Sequence, residues 1–116
     1  MITKGIRGAI TVENNSEDDI KAAVLELMNE LIQKNSLSEN LVSHIIFTTT
    51  KDIDAAYPAK FVRKDLGWNN TAMMCLEEAD IKNSLRNCIR VLVVYNCEES
   101  FIPAYVYLKG ASNLRA

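Results

Sequence analysis

A chain of 116 residues, 48% hydrophobic and 24% charged, has the size of one domain (1–116) and is too apolar to be disordered or fibrous. Its net charge of −2 sets up no long-range field for nucleic acid or an acidic membrane, so an anionic ligand must be held by a local cluster of cations. No apolar run approaches the ~18 residues of a membrane span, and the N-terminal residues lack a secretory-type apolar segment, which makes the cytoplasm the expected compartment.

Residues 5–12 are rich enough in β-branched side chains for a strand, with Arg7 between Gly5 and Gly8, two positions open to close approach of a backbone or ligand. Ser16 then precedes Glu17, Asp18 and Asp19, an N-cap followed by first-turn acids that suit the helix dipole. Ile20, Val24, Leu27, Met28, Leu31 and Ile32 recur at spacings of three and four, an amphipathic helix that Asn35 is placed to cap. A second strand is expected over 44–50, where His44 reads as a partly buried strand residue rather than a catalytic base.

Pro58 fits the first position of a short helix, since its missing N–H would be unsatisfied there in any residue. Lys60 and Arg63, three apart, can face one anion, and Gly67 is placed to end the helix. Strands follow over 71–76, 88–95 and 104–108, with polar turns between 77 and 87. The order of elements predicts an α+β fold with a mixed sheet and packed helices.

Within Cys88-Ile89-Arg90-Val91-Leu92-Val93-Val94, a guanidinium interrupts what reads as a buried strand, where an unpaired charge costs several kcal/mol. Arg90 must therefore meet an anion, be it an acidic side chain or a ligand, or emerge at a sheet edge. Arg7 shares this peculiarity. Taken alone, Glu78 reads as a solvated loop carboxylate, Cys75 as a small buried hydrophobe, and Tyr57, Tyr95, Tyr105 and Tyr107 as packing residues.

Three cysteines without CxxC spacing and a single histidine fit reduced thiols and no metal centre. The lone histidine also leaves little room for a nucleophile–base set, and no phosphate-binding glycine loop is present. What remains is an arginine-rich set with a carboxylate, suited to binding and polarising an anion without covalent chemistry.

Taken together, Gly5-Ile-Arg-Gly-Ala-Ile-Thr-Val-Glu13, Tyr57-Pro-Ala-Lys-Phe-Val-Arg63, Cys75-Leu-Glu-Glu78, Cys88-Ile-Arg-Val91 and Tyr107-Leu108 through Leu114-Arg115 resemble the AroH class of chorismate mutases. The resemblance covers nearly the whole chain in the same order. It implies a homotrimer of α+β subunits in a pseudo α/β-barrel arrangement, with active sites in clefts between subunits and no cofactor or metal. The implied reaction is the pericyclic conversion of chorismate to prephenate.

By the same resemblance, Arg90 would stabilise charge on the breaking ether oxygen, and Arg7 would bind a carboxylate with help from Tyr107. Glu78 and Cys75 would contact the ring hydroxyl and the charge-depleted ring. Lys60, Arg63 and Arg115 would form a cationic rim, and Tyr57, Ala59, Met73, Met74 and Leu114 the pocket walls. Tyr57 and Met74 stand where the family pattern leads one to expect Phe and Thr. Two competing readings are an imine or enamine deaminase of the Rid type, also a trimer with a carboxylate-binding arginine, and a non-catalytic trimeric dicarboxylate binder.

Overall fold

The computed structural model describes residues 1–114. Its elements are strand β1 (Ile2–Thr11), helix α1 (Glu17–Asn35), strand β2 (Val42–Thr49), helix α2 (Pro58–Asp65), and strands β3 (Ala72–Glu77), β4 (Cys88–Cys97) and β5 (Val106–Leu108). The five strands form one sheet in the order β3-β2-β4-β1-β5. β4 runs antiparallel to both β1 and β2, while β3 and β5 lie parallel to their neighbours at the two edges. The expected mixed-sheet α+β fold is what forms.

α1 begins where the sequence places it. The Ser16 hydroxyl accepts from the Asp19 amide, satisfying an N–H that the first turn leaves free. Its stripe of Ile20, Ala23, Val24, Leu27, Met28 and Leu31 is buried against one face of the sheet. Gly8 makes that approach close, because a Cβ there would stand 3.0 Å from Leu31 Cδ1 and 3.1 Å from Leu27 Cδ1 and Val91 Cγ1.

Asn35 does not end α1 as a cap. Ser36 takes the left-handed conformation at φ 51° and donates its amide to the Ile32 carbonyl. Asn35 is buried instead, its Nδ2 donating to the Leu31 and Ala104 carbonyls at 3.0 and 2.9 Å and its Oδ1 accepting from the Ala104 amide at 2.7 Å. This side chain pairs with backbone as a strand would, and it ties the end of α1 to the chain entering β5. At α2, Pro58 stands at the first turn, and Gly67 adopts φ +73° just beyond the helix.

β4 corrects the reading of a strand buried on both sides. Its odd-numbered residues, Ile89 through Cys97, are buried toward the helices, whereas Arg90, Leu92, Val94 and Asn96 point to the opposite face and are only half-buried. The apolar run is continuous because that second face is also largely apolar. Ile46, Leu92 and Val94 line it, and Met74 and Leu76 extend it toward the β3 edge with 62% and 46% exposure. Among the described residues neither α1 nor α2 covers this face, and the Arg90 side chain is 39% exposed, so it stands on an open surface rather than in a sealed core.

Candidate active site

Strand register assembles a cationic patch on the open face. Ala9 of β1 lies opposite Arg90 of β4 on one side and Tyr107 of β5 on the other, and Arg7 lies two residues from Ala9 on the same face. Arg7, Ala9, Ile46, Thr48, Arg90, Leu92 and Tyr107 line a concavity of about 380 Å³. Two guanidinium-bearing side chains and a phenol thus converge although they come from three strands far apart in sequence.

Arg90 meets its first anion within the chain. Its Nε lies 3.2 Å from Glu78 Oε2, and the Glu78 side chain is only 16% exposed. Glu78 is therefore not the solvated loop carboxylate that its sequence surroundings suggest. It directly follows β3, its amide donates to the Thr49 carbonyl at 2.9 Å, and its carboxylate turns over the open face toward Arg90. Arg90 meets Glu78 at Nε, and a guanidinium carries four further N–H donors on its two terminal nitrogens.

Tyr107 carries a buried hydroxyl with no hydrogen-bond partner among the described residues. Such an orphaned group costs about 1–3 kcal/mol, which marks a place where a ligand oxygen would be welcome. Leu114 is half-buried against the small cluster of Ala9, Cys88 and Ala111 beside Tyr107. Arg115, the remaining tail residue, lies outside the described residues.

The other expected residues gather elsewhere. Tyr57, Ala59, Lys60, Arg63, Met73 and Cys75 line a second concavity of about 370 Å³ between α2 and the β3 edge. Cys75 pairs across from Phe47 and packs with Met73 toward the helix side of the sheet, opposite to the face that bears Arg90. Met74 points to the open face. The expected residues thus fall into two separate sets, and Cys75 is not in the concavity that holds Arg90.

Electrostatics separates the two sets. Burial pushes the Cys75 thiol above its ordinary range, against a smaller opposing effect of the Ala59 amide, so the group is a neutral thiol at pH 7 and not a nucleophile. Buried Cys88, beneath Arg90, is pushed up to about 11 and is equally inert. Lys60 is paired with Glu17, whose carboxyl is held below its usual range first by that hydrogen bond and then by the lysine's charge. The expected cationic rim is therefore partly neutralised within the chain.

Thr48 also lines the concavity, and sequence reasoning missed it. Its hydroxyl donates to Glu78 Oε2 at 3.0 Å. The signal was the alternation of β2, which puts Ile46 and Thr48 on one face, but nothing in the sequence said that this face was the one bearing Arg90. Among the described residues, no cluster of His, Cys, Asp and Glu is arranged to hold a metal ion.

Comparison with known proteins places the chain in a family. The sequence profile of chorismate mutase type I matches residues 3–116. The chain is 36% identical to chorismate mutase AroH of Bacillus subtilis, covering 99% of this chain and 91% of that protein. It is 34% identical to the AroH protein of Thermus thermophilus, covering 98% and 94%. A solved chorismate mutase from Clostridium thermocellum superposes with a TM-score of 0.88 at 45% identity, over 93% of this chain and 96% of that one. With matches spanning nearly its whole length, this chain belongs to the type I chorismate mutase family.

Proposed function

We propose that this chorismate mutase, an isomerase of aromatic amino-acid biosynthesis, binds chorismate over the Arg7–Arg90–Tyr107 concavity and converts it there to prephenate. The rearrangement breaks an ether C–O bond as a C–C bond forms, within one molecule. It requires no nucleophile, no proton transfer and no cofactor. What a protein can supply is the compact conformer and positive charge at the oxygen that becomes negative.

The observation that carries this reading is that Arg90 meets Glu78 at Nε, 3.2 Å from Oε2, on the face that lines the concavity. Its terminal nitrogens can then face the ether oxygen and a nearby carboxylate, a two-point contact that a lysine ammonium would not reproduce. Arg7 and the unpartnered Tyr107 hydroxyl would take the other carboxylate, and Glu78 would accept from the ring hydroxyl. Preorganised charge of this kind needs little rearrangement at the moment of reaction, which is why it accelerates the step.

The second set, Cys75 with Tyr57, Ala59, Met73, Lys60 and Arg63, would complete the pocket from a neighbouring copy. Supporting this is the open apolar face with Met74 and Leu76 exposed, a surface of the kind that subunits cover. A closed cyclic assembly would use the same pair of unlike surfaces at every interface, and a homotrimer with a barrel-like arrangement satisfies that requirement. Among the described residues no helix is long and apolar enough to cross a membrane, and the proposed setting is the cytoplasm.

The deciding experiment follows chorismate absorbance and prephenate formation with purified protein and no added cofactor. Stoichiometric conversion is expected. Tight chorismate binding by calorimetry without turnover would overturn the catalytic reading.

A further inference from the structure

Thr48 stands on β2 directly across from Arg90 of β4 and, on its other side, from Leu76 of β3. Its hydroxyl reaches Glu78 Oε2 at 3.0 Å, the same oxygen that lies 3.2 Å from Arg90 Nε. Two donors from adjacent strands, each fixed by sheet register, therefore converge on one carboxylate oxygen. A glutamate held at a single point would keep its terminal torsion, which is broad and roughly two-fold, and could exchange its two oxygens freely. A hydrogen bond and an ion pair on the same oxygen narrow that torsion and leave the other oxygen turned away from both.

We propose that Thr48 is a positioning residue for the mutase reaction. By anchoring Oε2 it presents Oε1 to a hydroxyl donor on the substrate, and by sharing Oε2 with Arg90 it sets the roll of the guanidinium, so that the terminal nitrogens face the concavity that Thr48 itself helps to line. The inference rests on the reading of Arg90 and Glu78 as substrate-binding groups. It extends that reading to a residue on a third strand. The hydroxyl matters because a threonine and a valine are close in shape, while only the threonine donates a hydrogen bond.

The test is a set of purified variants assayed for kcat, KM and thermal midpoint: Thr48→Val, Thr48→Ser, Glu78→Gln and the double variant Thr48→Val/Glu78→Gln. Thr48→Val should lower kcat/KM about tenfold, in keeping with loss of a hydrogen bond to a charged group. Thr48→Ser, which keeps the donor, should recover most of that loss. The double variant should be no worse than Glu78→Gln alone, because Thr48 acts through that carboxylate.

A merely structural role predicts a different pattern: additive losses in the double variant, no rescue by serine and a lowered thermal midpoint. Any of these, or Thr48→Val activity within twofold of the parent beside an impaired Glu78→Gln, overturns the proposal. Full activity in Glu78→Gln would instead remove the carboxylate from the site reading and, with it, the task assigned to Thr48. The two failures are thus told apart by the Glu78 variant alone.

Discussion

Arg90 invited two readings in the sequence, a structural ion pair or a ligand-binding group; the structure shows the ion pair, and the proposed function adds the ligand. Nε pairs with Glu78, and the proposed role falls to the terminal nitrogens of the fork. Arg90→Lys should lower kcat on the order of 10²-fold, the scale of losing a preorganised donor at a developing oxyanion, with a thermal midpoint close to that of the parent. Near-normal turnover would remove Arg90 from the chemistry. Tyr107 offers the converse signature. Its buried hydroxyl has no partner among the described residues, a cost to the free protein, so Tyr107→Phe should raise KM on the order of tenfold while leaving thermal stability unchanged or higher. A variant that loses stability and binding together would mean that the hydroxyl serves the fold.

Elements were legible where local chemistry decides them. Ser16 capped α1, the stripe from Ile20 to Leu31 was buried, and Pro58 opened α2. What local chemistry does not contain is which strands become neighbours, and the failures follow from that. Asn35 looked like a cap because its partner, Ala104, is remote in sequence. Glu78 looked solvated because its partners, Thr48 and Arg90, sit on two other strands. The same cross-chain bonds make predictions at this scale. Asn35→Ala strands the Ala104 amide and carbonyl, and should cost about 1–3 kcal/mol in denaturant unfolding.

Asp52 ties the loop before β4 to the end of β2, accepting from the Thr50 hydroxyl and, through both oxygens, from the Asn87 amide. Burial alone would raise its carboxyl, but these hydrogen bonds outweigh it and hold the folded value below the ordinary one of about 3.9. The stabilisation is therefore fully present above that ordinary value and is lost as the pH falls from there through the lower folded value. Thermal midpoints of the parent and Asp52→Asn should differ at pH 7 and draw together under acid. A gap that persists undiminished below the folded value would refute the linkage.

For the whole molecule, the decisive fact is that the expected site residues fall into two sets, one on the open face and one beside α2 at the β3 edge. If clefts between copies join them, an Arg90→Ala variant and a Cys75→Asp variant are each inactive alone but partly active when co-assembled, because some clefts then draw both halves from intact surfaces. Absence of regained activity in assemblies confirmed by mass to be mixed would mean that the sets do not cooperate. Gly8 carries a consequence for how such a molecule tolerates mutation. It touches the packing of α1 on one side and separates Arg7 from Ala9 on the other. A methyl group there overpacks the core at about 1–3 kcal/mol and shifts the backbone that aims Arg7. A random screen for inactive but soluble variants would therefore recover Gly8 beside the arginines, a hereditary weak point at a position with no side chain to offer the substrate.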